Sequence, residues 1–372
     1  MRKLKILQVN KLYSPWIGGI ESVAKTVAEN LKNETDMTVL VCQPKGKGAR
    51  DKVDGVDVIR AGSLGIKFSM PISFSFPFLV RKCAKNADVL ILHDPFPLGD
   101  LAVLLSGFKG KVVVWWHSDI IKQKRLVKLI KPIIKGVLKR ADAIFTTSEG
   151  YINGSAYIGD YREKCRIVPY GIDTAAYLNT KLSPILTQKL IRPESKKLLF
   201  VGRLVYYKGV GVLIDAFKNI SDAELFIVGT GSDEEALKAQ AEPLGDRVHF
   251  MRNLSDVDLR SAFADCDIFV LPSVEKSEAF GIVQLEAMVY GKPVINTDLK
   301  TSVPLVSIDG ETGLTVKAGD AEELAKAMDR LIKDDSLREK LGDNAKRRAV
   351  EYFDIKTMTN SAKRNILQII EN

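Results

Sequence analysis

Short apolar runs alternate along the first 170 residues with stretches whose apolar positions recur at helical spacing. Leu4–Val9, Met37–Cys42, Val89–Leu92, Val112–Trp116 and Ala143–Thr146 are near-continuous apolar segments. A strand with one wet face alternates apolar with polar residues, whereas a continuous run fits a strand covered on both faces, as in a parallel sheet flanked by helices. Behind Gly18-Gly19, the residues Ile20, Val23, Ala24, Val27, Ala28 and Leu31 share one side of a helix. After an irregular stretch, Asp173–Ser195, the same pattern restarts with Leu198–Val201, Leu225–Val228, Val248–Met251, Ile268–Leu271 and Pro293–Asn296. The pattern predicts an α/β chain of two doubly wound domains. The boundaries it suggests are residues 1–172, a linker over 173–195, a second domain over 196–350, and a final helix over 351–372 whose apolar series ends in Ile366, Leu367, Ile369 and Ile370.

A chain of 372 residues with 46% hydrophobic and 27% charged content is long enough for two domains with ordinary globular cores. Cys42, Cys83, Cys165 and Cys266 form no C-x-x-C pair and no zinc-type spacing, which predicts buried thiols in a reducing compartment. Arg2-Lys3 leads directly into the first strand with no signal-peptide core, and no apolar run reaches the roughly 18 residues of a membrane span. The expected location is the cytoplasm.

The net charge of +9 is unevenly distributed, because residues 1–172 hold 28 Lys and Arg against 15 Asp and Glu, while the remainder holds 27 against 31. The densest basic tract, 121–140, has eight Lys or Arg and no acid, interleaved with Leu and Ile. That composition suits a helix lying on an anionic membrane surface. A solvated helix with a core-facing stripe and a nucleic-acid-binding helix are the rival readings, and no recognised nucleic-acid module accompanies the tract. Pro132 is expected to break or kink the helix midway.

The most informative chemistry lies in Ser277-Glu278-Ala279-Phe280-Gly281-Ile282-Val283-Gln284-Leu285-Glu286-Ala287-Met288. Glu278 falls in a loop after an apolar run, and Glu286 falls one to two turns into a helix expected to open near Phe280. The two carboxylates can then face one polar ligand, while the backbone N–H groups of Phe280, Gly281 and Ile282 suit a phosphate. Two surface glutamates at this spacing are ordinarily just solvated. Here Phe-Gly, Glu-Ala-Met and the following Gly291-Lys292-Pro293-Val294 give them a distinctive setting.

With these residues the chain resembles the retaining glycosyltransferases of family four, which carry a Glu-x7-Glu motif. The resemblance covers nearly the whole chain. It implies the GT-B fold, two Rossmann-like domains facing a central cleft with the C-terminal helix crossing back to the first. By the same resemblance Glu278 meets the donor sugar and Glu286 the nucleotide ribose.

Other segments match the family by position. Gly202-Arg203-Leu204 with Lys208-Gly209 lacks P-loop spacing, but Arg203 and Lys208 supply one planar and one compact cation for a diphosphate. In Gly229-Thr230-Gly231-Ser232 the second glycine, Gly231, is placed near the nucleoside, and in Met251-Arg252-Asn253 Arg252 near the base. Gly18 and Gly19 allow close backbone approach to a ligand, and by resemblance face the donor phosphate. His117, directly after Val112–Trp116, is carried over as a group beside the donor sugar. His93 reads as structural or acceptor-lining, and His249 as a satisfied core residue.

Loss of a diphosphate places the greatest need on the leaving group, which Arg203, Lys208 and the helix start near Gly281 can meet without metal. There is no Asp-x-Asp motif; the expectation is metal-independent chemistry with no cofactor. Front-face attack with retention is inherited from the family. Glycosidase chemistry needs two carboxyls about 5 Å apart, or further with an intervening water, which a ribose-binding glutamate does not provide. The resulting expectation is a mannosyltransferase using GDP-mannose and a lipid-linked or growing bacterial surface glycan, as in O-antigen or lipopolysaccharide synthesis, peripheral on the inner membrane face. A UDP-hexose or UDP-N-acetylhexosamine donor, a non-catalytic nucleotide- or glycan-binding scaffold, and a nucleotide-sugar epimerase are the alternatives.

Overall fold

The computed structural model describes residues 2–16, 18–67, 70–120 and 124–371. The chain forms two compact units, one of Met1–Tyr170 with Met358–Asn372, the other of Gly171–Thr357. Residues 173–195, read from sequence as a linker, therefore belong to the second unit. Leu186 N and Thr187 N donate to Asp265 Oδ2 at 2.7 and 2.8 Å.

The first unit carries a sheet in the spatial order Cys165–Ile167, Ala143–Thr146, Lys111–Trp116, Val89–Asp94, Leu4–Val9, Thr35–Cys42, Val56–Ala61, Ala49–Val53. All neighbours are parallel except the last pair. The strands Val89–Asp94 and Ala143–Thr146 are buried throughout, as their continuous apolar runs require. Ala49–Val53 escaped the sequence reading because it is an exposed polar edge strand with no apolar signature.

The second unit carries six parallel strands in the order Val248–Met251, Ala223–Val228, Lys196–Val201, Ile268–Val270, Val294–Thr297, Gly313–Val316. In chain order this is 3-2-1-4-5-6, the doubly wound arrangement, whose direction reverses between Lys196–Val201 and Ile268–Val270. In doubly wound sheets ligands bind beyond the carboxyl ends of the strands at such a reversal.

Two expectations are corrected here. Lys124–Arg140 is one helix, with Pro132 inside it rather than at a break. Pro132 is on the exposed side, so the Lys128 carbonyl it leaves unpaired can turn to water. All four cysteines are unpaired; Cys42 and Cys266 are buried, but Cys83 and Cys165 only partly so.

Gly209 is a strict backbone requirement. Its φ is +67°, and a Cβ there would lie 2.0 Å from the Pro272 carbonyl oxygen. Gly209→Ala is expected to destabilise the second unit by about 1–3 kcal/mol, read as a lower thermal midpoint; an unchanged midpoint would show that the loop yields.

Candidate active site

The switch point of the second sheet gathers the residues singled out from sequence. Lys208 ends a short 3-10 turn, Tyr206–Lys208, behind the Lys196–Val201 strand, and Glu278 lies in the loop behind Ile268–Val270. Lys208 Nζ donates to Glu278 Oε2 at 2.5 Å, and Ser273 Oγ donates to the same oxygen at 3.0 Å. Lys208 and Glu278 are each only 8% exposed. The two loops are also joined through backbone, with Val274 N donating to the Tyr207 carbonyl at 2.9 Å. Buried charges persist only when paired and hydrogen-bonded, and this pair meets that condition.

Gly202 lies under the Lys208 side chain, since a Cβ on it would be 3.6 Å from Nζ. Gly231 is pressed against the Leu204 carbonyl, 2.1 Å from a would-be Cβ, so the 202–204 and 229–231 loops also touch. Arg203 is exposed and donates to Tyr207 Oη at 2.8 Å. Arg252 donates through Nε to Glu234 Oε1 at 2.5 Å, on the first turn of helix Glu234–Ala241. Burial works to raise the Glu234 carboxyl, but the Arg252 and Lys238 cations outweigh it and hold it below its usual range.

Glu286 has a different setting. Helix Val283–Met288 starts three residues later than the sequence suggested, because Gly281 at φ +72° cannot belong to a right-handed helix. Glu286 is thus in the first turn. Its Oε1 accepts the Tyr177 hydroxyl, and Arg260 packs over the Tyr177 ring with its guanidinium carbon 4.5 Å from the centroid. Burial raises the Glu286 carboxyl above its ordinary value, opposed by the Tyr177 hydroxyl and the Arg260 charge. Oε2 has no hydrogen-bond partner among the described residues. Buried Gln284 anchors the turn by donating to the Phe280 carbonyl at 3.1 Å and accepting from Asn296 at 2.9 Å. The Phe280 ring packs edge-on against Phe353, with centroids 6.0 Å apart.

The sequence reading missed Tyr177, Arg260 and Ser273. For Tyr177 a signal existed: Asp173 caps helix Thr174–Leu178, accepting from Ala176 N at 2.9 Å, within a stretch read as irregular.

Gly18, Gly19 and His117 belong to the first unit. Gly18 is the extended N-cap of helix Gly19–Leu31 and is closed off by Glu21, whereas nothing lies within 4 Å of a Cβ built on Gly19. His117 follows strand Lys111–Trp116, and both ring nitrogens are engaged: Nε2 with His93 Nδ1 at 2.8 Å, Nδ1 with Tyr170 Oη at 2.5 Å. Burial, then the neighbouring His93, holds His117 well below the usual imidazole range, and burial takes His93 down to about 3. Both rings are neutral at pH 7. His249 Nε2 donates to Glu224 Oε2 at 2.7 Å and the ring stacks on Phe226, the satisfied role expected of it.

Asp94 and Asp100 form a second buried polar group beside these histidines in sequence. Burial pushes Asp94 up to about 7, against hydrogen bonds from Asp100 and from the Phe96 N–H. Burial and the Asp94 charge hold Asp100 well above the carboxylate range.

Two family descriptions match the chain, Glycosyltransferase Family 4 over residues 17–176 and Glycosyl transferases group 1 over residues 184–348. The chain is 34% identical to a D-rhamnosyltransferase of Pseudomonas aeruginosa, an alignment spanning 94% of this chain and 92% of that protein. It is 29% identical to O-antigen chain mannosyltransferase C of Escherichia coli, spanning 94% of each. Among solved structures, the Anabaena protein HepE in complex with UDP superposes with a TM-score of 0.80 at 20% identity, covering 98% of this chain and 100% of that one. That likeness establishes the GT-B fold.

An acid whose pKa is raised by folding stabilises the fold below its unfolded value and loses that contribution as pH rises through the folded one. Between about pH 4 and pH 7 Asp94 and Asp100 therefore lower the stability of the first unit as pH rises, while His93 and His117, held below their unfolded values, raise it. Asp100→Asn removes one of the opposing contributions and is expected to make thermal midpoints rise more steeply with pH across that range. A pH profile unchanged in the variant would place the titration elsewhere.

Proposed function

The chain belongs to the family-four glycosyltransferases, and from that premise we propose that it transfers mannose from GDP-mannose to a lipid-linked or growing bacterial surface glycan, with retention of configuration. The observation that carries this reading is the unlike environment of two carboxylates in one segment. Glu278 is held by a cation, while Glu286 keeps one oxygen without a partner among the described residues. The relatives support a manno-configured sugar, since D-rhamnose is 6-deoxy-D-mannose and the second relative is named a mannosyltransferase.

In this reading Lys208 and Glu278 neutralise one another until the donor arrives. The diphosphate then competes for Lys208, with Arg203 as the second cation, and Glu278 is released to accept hydroxyls of the sugar. Glu286 Oε2 accepts from the ribose. Gly231 lies toward the nucleoside where its loop closes on the Leu204 backbone, Arg252 lies toward the base, and the segment from Phe280 through Gly281 to Ile282 lies toward phosphate. Gly18 and Gly19 offer backbone to the donor phosphate. His117 serves the sugar by exchanging its bond to His93 for one to a hydroxyl. The bond from the anomeric carbon to the phosphate oxygen breaks, the acceptor hydroxyl oxygen bonds from the same face, and its proton passes to the departing diphosphate. Charge on that diphosphate is met by Arg203 and Lys208 without metal.

The basic helix Lys124–Arg140 is the proposed contact with an anionic membrane surface on the cytoplasmic side. Residues 121–123 of the tract lie outside the described residues. No helix among the described residues is long and apolar enough to cross a membrane.

The first test is a thermal-shift and turnover screen in EDTA with GDP-mannose, UDP-glucose, UDP-galactose and UDP-N-acetylglucosamine. Stabilisation and slow hydrolysis with GDP-mannose alone are expected. A response only to a UDP-sugar would transfer the donor assignment, no response would favour a binding scaffold, and product formed from the sugar without any acceptor or water would indicate epimerisation. A second test addresses the carboxylates. Because Lys208→Ala alone strands a buried Glu278 and costs up to about 3–5 kcal/mol of stability, the pair is best removed together as Lys208→Met with Glu278→Gln. This double variant is expected to keep its fold and lose about 10²-fold or more in turnover. Glu286→Ala is expected to weaken donor binding by about tenfold or more through the lost charge-assisted hydrogen bond; wild-type affinity would remove Glu286 from the site.

A further inference from the structure

Among the described residues of the first unit, the two most exposed aromatic side chains stand four positions apart. Phe74 and Phe78 are each 76% exposed, at the start of helix Phe76–Ala84, whereas Phe76 between them is fully buried. Arg81, Lys82 and Lys85 follow Phe78 by three, four and seven positions, so one exposed helix face combines an aromatic ring with three cations. None of the three is paired with a carboxylate among the described residues. From Val58 to Ala87 the chain contains five basic residues and no acid.

The neighbouring elements continue this face. Helix Phe76–Ala84 packs on helix Pro97–Leu105, which packs on Lys124–Arg140. The contact between the last two is close: a Cβ on Gly136 would lie 3.1 Å from Leu104 Cδ1. Leu101 and Leu105 project from the middle helix and Leu129 from the third, where Lys128, Lys131 and Lys135 are also exposed. Residues 101–118 and 120–141 contain no acid. An exposed apolar patch of this kind marks an interaction surface. Its charge selects the partner, because a face with apolar side chains and uncompensated cations is complementary to an anionic surface with an apolar layer beneath it.

We propose that this three-helix face is a bilayer-docking surface, in which Phe74 and Phe78 enter the boundary between headgroups and acyl chains while Arg81, Lys82 and Lys85 engage anionic headgroups. The inference deepens the membrane part of the reading above, which rested on Lys124–Arg140 alone, and adds a separate aromatic anchor. Two anchors, one on each neighbour of helix Pro97–Leu105, also fix the rotation of the unit on the membrane, which a single helix lying in the interface does not.

The test uses the full chain in sedimentation with vesicles of phosphatidylcholine, with and without about one third phosphatidylglycerol as the anionic component. The wild type is expected to bind only the anionic vesicles, and Phe74→Ser with Phe78→Ser to lose about tenfold or more in partitioning. Both sites are exposed, so the thermal midpoint and the hydrolysis of free donor are expected to stay unchanged. Phe78→Trp is expected to show a blue-shifted emission on adding anionic vesicles. Wild-type partitioning by the serine variant, or no shift from the tryptophan, overturns the proposal. If Lys128→Glu with Lys131→Glu and Lys135→Glu abolishes binding while the serine variant does not, the aromatic anchor fails and the helix reading stands. If the serine substitutions instead dissolve a dimer seen by size exclusion without affecting vesicle binding, the occupant is a second copy of this chain and the proposal falls.

Discussion

The ion pair between Lys208 and Glu278 is the constraint around which the second unit arranges its loops. It joins residues 70 positions apart, from loops that leave adjacent strands in opposite directions. A buried ion pair contributes little net stability once desolvation is counted. What this one contributes is placement, since removing either side chain leaves the other buried without its counter-charge. The backbone enforces the same approach through Gly209 beneath Pro272 and the Val274 to Tyr207 hydrogen bond. Two independent devices therefore bring one cation and one carboxylate to the sheet's switch point, where a doubly wound fold receives its ligand.

The two units handle buried polarity differently. In the second, carboxylates are paired: Glu278 with Lys208 and Glu234 with Arg252, while Glu224 accepts from the His249 ring. In the first, one buried set is instead pushed toward its neutral forms by desolvation, with His93 and His117 held unprotonated and Asp94 and Asp100 held toward protonation. His93 Nε2, Asp94 Oδ2 and Asp100 Oδ1 are buried without partners among the described residues. Such groups are costly to keep and mark a place where the interior is arranged for something other than stability. The uneven surface charge follows the same division, with the basic excess on the chain's N-terminal half and a slightly acidic balance on the rest.

Much of this was legible in the sequence because it is local. Continuous apolar runs identified strands buried on both faces, and their alternation with helical spacing identified two doubly wound units. The Glu278 to Glu286 segment and the Gly202 to Gly209 segment carried the family resemblance without any structure. Local conformation was less legible where one residue outweighs its neighbours. Gly281 delays a helix that the apolar pattern would start earlier, and Pro132 is accommodated because its side of the helix faces water.

The tertiary structure decided the partners. Tyr177 reaches Glu286 across 109 positions and His117 meets Tyr170 across 53, and no periodicity records such distances. The chain determined which residues stand at the ends of strands, because strand and turn formation depend on neighbours a few positions away. Which of those residues is paired, neutral or left open depends on desolvation by segments distant in sequence, and burial acquires its value only when the sheet has closed around it.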